Sequence, residues 1–499
     1  MNKPAPYTAM TEKSHPDGRF AIFSFLWAAA VIFHLGKWNI WLDSTVSFAL
    51  GVSAVIVLLK PSSPYRLCVL ILLQLADAFE KMPWIPNHWL FATIVNLTIL
   101  TTALTLMISS GKINIEKSEL FDTFAPAVRL EIILLYLLAF FHKLNTDWLD
   151  PGVSCGTKLY LLMTGASGLF RSSLFTEYFA IYGALAVELI IPVSLIIRRT
   201  RTLGIIIALF FHFILGTGEF YNFSAVMYAL LFLFAPDNFS EQLRKWWNGT
   251  PFPGLYRHTL ERGLIKKARL PVLIISGALC LGLFIYARLT YPSVEQYPEL
   301  RELGTFGRTR LYYAFLGLWW IYGIFIIAIF LLVSRREKPV WDETRYFVPG
   351  YKLLALFPIL VLINGISPYI GLKTQTSWSM FSNLRTEGGT SNHLLINHPY
   401  YLTDYQTDLV EIKNSSDPRL RTFKEKGYSI PYFELRRYMS EKHSTAGDGI
   451  GLEYVRKGSV KSVSDRNGDP GLFEPEKYIL RKLLYFKPVP HGKKGVCQH

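Results

Sequence analysis

The sequence predicts an α-helical polytopic membrane protein with about eleven transmembrane helices and a small C-terminal α/β extramembrane domain. Three observations carry this prediction. Hydrophobic residues make up 51% of the 499, and charged residues only 18%. The apolar residues fall in long blocks, where a soluble chain would interleave them with charge. After residue 371 the blocks stop, and residues 372–499 hold many charges but no run long enough to span. So much apolar surface excludes a disordered chain. Four cysteines in 499 residues exclude a disulfide scaffold.

A spanning helix needs about 20 apolar residues, because backbone groups in lipid must be satisfied within the segment. Clear candidates are 20–36, 88–108, 123–142, 178–197, 270–287, 311–333 and 351–370. Shorter candidates are 44–59, 66–79, 203–217 and 220–235. The last two meet at Gly216-Thr217-Gly218-Glu219, which reads as a tight hairpin. The shorter pieces could instead be tilted, re-entrant or buried among other helices.

The net charge of +15 follows from the loops. Lys60, Arg66, Lys112, Lys117, Arg198, Arg199, Arg201, Arg335, Arg336, Lys338 and the basic segment 236–269 fall on one side. Fewer basic residues fall on the other, so the positive-inside rule places the N-terminus in the cytoplasm and the C-terminal domain outside. The bacterial inner (plasma) membrane is the expected location. Residues 1–19 form a polar cytoplasmic tail, 20–371 the multi-pass domain and 372–499 the outer domain. The first span reads as an uncleaved anchor, because Lys37 follows it where a cleavage site would need small residues. No basic motif is interleaved with base-stacking aromatics, so nucleic-acid binding is not expected.

In the outer domain, β-like pieces stand at His393–Asn397, Asp408–Lys413, Gly451–Arg456 and Leu483–Lys487, with a helix at Pro431–Lys442. Cys155 and Cys497 both fall outside in this topology. They could pair or remain two unrelated thiols. Cys68 and Cys280 read as core filler in spans.

Charge at membrane depth is costly and calls for an explanation. Asp77 closes the third span, and Arg129 and Glu131 lie near the inner end of the fifth. His142 and Lys143 end the fifth span on the outer side. Glu188 lies mid-way along the sixth, and His212 in the seventh. Each has a structural reading: Lys143 as an interfacial anchor, Glu188 as a buried hydrogen-bonded group, His212 as a satisfied core histidine.

The local sequence adds a second reading. Lys143 opens Lys143-Leu144-Asn145-Thr146-Asp147-Trp148-Leu149, followed by Pro151-Gly152. Glu188 sits in an apolar helix ending Ile196-Ile197-Arg198-Arg199. Phe211-His212 is followed by Phe220 and Met227. Ser377-Trp378-Ser379-Met380-Phe381 leads to Arg385 and His393. In this order the blocks resemble the vitamin K-dependent γ-glutamyl carboxylases and their bacterial relatives, the horizontally transferred transmembrane (HTTM) domain proteins. The resemblance covers 120–235 and 365–395; elsewhere it rests on hydropathy.

The resemblance implies chemistry. In the carboxylases the lysine before that leucine is regarded as the base that deprotonates reduced vitamin K; carbon dioxide is finally added to a glutamate side chain. Carried over, Lys143 is the base, assisted by Glu188 and His212, and His142, Asp147 and Trp148 are cofactor-binding positions. The implied cofactor is reduced vitamin K or menaquinol. A lysine amine is a base only when neutral, a state that apolar surroundings favour. The chain departs from the animal enzymes in having His142 where they have a second lysine, and in an outer domain too small for their full substrate-binding region. The implied function is therefore quinone-linked proton abstraction or carboxylation of a peptide or small substrate at the outer face. The alternatives are a non-catalytic protein that helps mature or export a partner peptide, or a transporter; no inverted repeat supports transport. Metal catalysis is not expected, because no Cys-x-x-Cys or His-Glu-x-x-His occurs.

Overall fold

The computed structural model describes residues 17–38, 40–164, 173–249, 310–446, 450–463, 469–474, 476–491 and 497. Seven helices among them are long and apolar enough to cross a membrane: Gly18–Lys37, Asn87–Ser110, Lys117–His142, Leu174–Ile196, Arg201–Gly218, Ala314–Ser334 and Lys352–Tyr369. An eighth is reached if Tyr221–Phe234 and Phe239–Asn248, bent by 104°, form one broken span. The expected eleven are therefore not reached among the described residues. Thr45–Leu59 is apolar but short. Pro64–Lys81 carries Arg66, Asp77, Glu80 and Lys81, too many charges for a span. The candidate at 270–287 lies outside the described residues.

The described chain forms two compact units. The first comprises residues 1–74, 99–126 and 198–350. Its helix α1 (Asp17–Trp38) packs on α2 (Thr45–Leu59) and on a helical hairpin. Ser44 caps α2 by accepting from the Ser47 amide at 3.1 Å. The hairpin joins Arg201–Leu215 to Tyr221–Leu231 through one π turn, Gly216–Phe220. The Tyr228 hydroxyl donates to the Leu209 carbonyl at 3.0 Å, and Phe223 packs on His212, so the two arms run antiparallel. Gly216 is required at the turn, because a Cβ there would lie 2.2 Å from the Trp319 ring. Arg201 is not a free inner-loop cation. It is fully buried, paired with Glu343 at 2.5 Å and stacked on Tyr346 with its guanidinium 3.7 Å from the ring centre.

The second unit comprises 75–98, 127–197 and 351–499. It holds most of helices Lys117–His142 and Leu174–Ile196, the short helix Cys155–Thr164, and a five-stranded antiparallel sheet. The strands are β1 (Leu409–Ser415), β2 (Tyr428–Pro431), β3 (Leu452–Arg456), β4 (Ser459–Val463) and β5 (Val489–Pro490), ordered β4-β3-β1-β2-β5. Ile412 faces Tyr454 and Val410 faces Ile430. Their buried face packs on Leu435 and Met439 of helix Tyr432–Ala446.

Two of the expected strands and the expected helix are present. His393–Asn397 forms only an isolated bridge, Asn145 to His393. Leu483–Lys487 is the end of helix Tyr478–Leu483 and an irregular segment. Strand β2 is four residues long, too short for a period-two pattern to register. Strand β4 follows a two-residue turn, Lys457-Gly458, with φ of 50° and 76°, the backbone that a tight hairpin demands.

Candidate functional site

Helix Lys117–His142 ends in a tightened turn in which the Lys143 amide donates to Phe140 and that of Leu144 to Phe141. The following run is held by Asn145. Its amide donates to the His142 and Ser382 carbonyls at 2.8 and 2.6 Å, and its oxygen accepts from the Trp148 amide at 2.8 Å. The same oxygen takes the Asn392 amide at 3.3 Å. Thr146 and Leu144 bond the backbone of Asn392 and Leu394. One short polar residue thus fixes the loop to segments more than two hundred residues away.

His393 completes the clamp. One ring nitrogen lies 2.9 Å from the Phe141 carbonyl; the other accepts from the Leu395 and Ile396 amides at 3.1 and 3.2 Å. That pattern requires a neutral ring that donates to Phe141. Burial lowers its pKa in agreement. His393 is a structural clamp.

Within this frame, the Lys143 ammonium reaches Glu188 Oε1 at 2.8 Å and the Ala139 carbonyl at 3.3 Å. It also lies 5.3 Å from the centre of the Trp148 ring. Lys143 is 6% exposed and Trp148 1%, so neither is an interfacial anchor. The Glu188 side chain keeps 12% exposure. Trp148 packs on Cys155, Ile181 and Leu185, and the Cys155–Cys497 disulfide belongs to the same cluster. Ile181, Leu185 and Glu188 lie one helical turn apart on helix Leu174–Ile196, which the Ser173 capping box starts. Two buried polar atoms here have no partner: Trp148 Nε1 and Glu188 Oε2.

The other expected site residues fall around this pair in different ways. Asp147 is ion-paired with Arg385, its Oδ2 3.0 Å from Nε. His142 turns to Tyr369, with Nδ1 3.0 Å from the hydroxyl and the rings stacked. His212 belongs to the first unit, where its ring packs on Phe211 and Phe223. Of the two partners expected for Glu188, the carboxylate engages Lys143. Other membrane-depth charges have structural partners. Asp77 pairs with Lys81 at 2.6 Å and accepts from the Trp89 indole at 3.1 Å. Glu131 is fully buried and accepts from Thr98 at 2.7 Å.

Trp378 of the second sequence block donates its indole N–H to the Val361 carbonyl at 2.8 Å and packs edge-on against Phe91. Thr376, Trp378, Phe381 and Asn383 all adopt positive φ, an unusual concentration for non-glycine residues. Asn383 uses that geometry to bond both the Cys155 amide and the Val153 carbonyl. Sequence reading missed Asn145, Asn383, Asn392 and Tyr369 as the residues that fix the site. It also missed two buried lysines, Lys373 and Lys487, whose pKa values burial lowers, that of Lys373 to about 7. No protein-family model matches the chain, and no curated protein or solved structure is significantly similar to it.

Proposed function

We propose that this chain is a multi-pass membrane enzyme of the vitamin K-dependent carboxylase and HTTM kind, in which Lys143 removes a proton from a quinol-like lipid. Carboxylation of a peptide or small substrate at the outer membrane face is the reaction that this reading implies. The observation that carries it is the buried contact of Lys143 with Glu188 against the Trp148 ring. An anchor for lipid headgroups would point its ammonium at water. This one is enclosed and held by a carboxylate, which can take a proton from the ammonium and leave the free amine that a base requires.

A quinol would supply the redox chemistry when bound. The donor set fits such a group, because Glu188 Oε2 is buried without a partner and can accept from a hydroxyl. Lys143 and Glu188 would hold that hydroxyl and move its proton; Trp148 and Leu185 exclude water on one side. The Cys155–Cys497 disulfide supports an oxidising, extracytoplasmic location for this end of the unit and hence a cytoplasmic N-terminus in a bacterial inner membrane.

The test is a substitution series assayed with a reduced naphthoquinone, labelled carbon dioxide and a glutamate-containing peptide, with lipid extraction of the purified protein. Lys143→Ala and Lys143→Arg should both abolish incorporation while the protein folds, since arginine stays protonated. Full activity in Lys143→Arg excludes the base role, and repeated extraction without a naphthoquinone removes the cofactor.

A further inference from the structure

We infer that Trp148 selects ligands carrying a second oxygen across the aromatic ring from the hydroxyl held at Lys143. This rests on the base reading above and deepens it by assigning a specificity-determining residue. Buried indole N–H groups in proteins nearly always have a partner. Trp148 is 1% exposed, and its N–H has none. The unpartnered donor sits beside an unpartnered acceptor, Glu188 Oε2, with the Lys143 ammonium over the same ring.

The two unsatisfied atoms face different parts of a ligand. The ammonium lies over the face of the indole, 5.3 Å from its centre, whereas the N–H leaves from the ring edge. One small oxygen cannot serve both. A flat aromatic with oxygens at opposite ends can: one end donates to Glu188 and loses its proton to Lys143, and the other accepts from Trp148. In the proton step the ligand O–H bond breaks, an N–H bond forms on the neutral Lys143 amine, and the electron pair stays on oxygen; nothing is oxidised or reduced. Access suits an apolar ligand. The remaining exposure of the pair is at Glu188, on a helix whose Tyr182, Leu189, Ile190 and Val193 are exposed.

Three probes separate the possibilities: 1-naphthol, 4-ethyl-1-naphthol and 4-methoxy-1-naphthol, bound at equilibrium to the full-length protein in detergent. Only the methoxy compound offers a second oxygen acceptor. It should bind about fivefold to tenfold more tightly than the ethyl compound, the worth of one net hydrogen bond. Trp148→Phe should bring that ratio to about one, and Lys143→Met should weaken all three while leaving the ratio intact. Equal binding of the ethyl and methoxy compounds to the wild-type protein overturns the assignment and leaves the base reading standing. An unchanged ratio in folded Trp148→Phe does the same. No binding of any naphthol overturns the base reading and this inference together. The wild-type comparison needs no variant, so it decides even if Trp148→Phe does not fold.

Discussion

Breaking the Lys143–Glu188 contact from each side, and then from both, separates an enclosed ion pair from a solvated one. At 2.8 Å two unit charges attract by about 6 kcal/mol at an effective dielectric constant of ~20. That is a ceiling. Glu188 keeps some exposure, and in a membrane the unfolded chain also finds polar partners, which reduces measured interhelical terms to roughly 1–2 kcal/mol. Removing one partner does more than lose the attraction, because it strands the other charge among Ile181, Leu185 and Trp148. Lys143→Met alone and Glu188→Leu alone should each cost about 3 kcal/mol. The double variant replaces both charges by apolar groups and should lie within about 1 kcal/mol of the wild type. The assay is reversible unfolding in mixed micelles, read by tryptophan fluorescence, with the coupling taken from the complete cycle. A coupling below ~0.5 kcal/mol, the value of an exposed surface pair, refutes the enclosed pair and the base reading with it.

Two further outcomes follow from the second unit. Burial holds Lys373 at about 7, far below its unfolded value near 10.5, so the unfolded state binds more protons between those pH values. Stability should rise as pH rises from about 7 to about 10, by at most about 5 kcal/mol, and Lys373→Met should flatten that slope in a pH series of unfolding midpoints; an unchanged slope refutes the assignment. The Cys155–Cys497 bond closes a sequence separation of 342, so Cys497→Ser should destabilise the second unit by about 2–4 kcal/mol and expose Trp148 to quenchers, an effect absent if the bond does not form.

Most of the membrane helices were legible in the sequence, because twenty apolar residues in a row admit little else. Helix Lys117–His142 and helix Leu174–Ile196 lie where hydropathy puts them. The shortfall against eleven comes from the ambiguous class. Hydropathy gives Thr45–Leu59 and Pro64–Lys81 the look of spans, but one is short and the other carries four charges on a half-polar face. In the sheet, β2 and β5 carry too few residues for alternation to be read, and pairing with β1 makes them strands.

The site divides along a similar line. Lys143 and Glu188 were legible because charge at membrane depth is conspicuous by its cost, and so was their pairing as a possibility. What could not be read is why the amine is enclosed. That depends on Asn145, Asn383, Asn392 and His393, polar residues of ordinary appearance whose partners lie up to 252 positions away in the chain. A loop tied only to its own helix would let Lys143 swing to the nearest water. Here the backbone on both sides of Lys143 is bonded: Phe141 to His393, Leu144 to Leu394 and Thr146 to Asn392. The lysine therefore has no low-cost route out of its contact with Glu188. The run Lys143-Leu144-Asn145-Thr146-Asp147-Trp148 reads as a local motif, but its geometry is set at a distance. Asn145→Ala should accordingly loosen the Lys143–Glu188 pair without touching either side chain, which distinguishes a positioned base from a lysine that is merely buried.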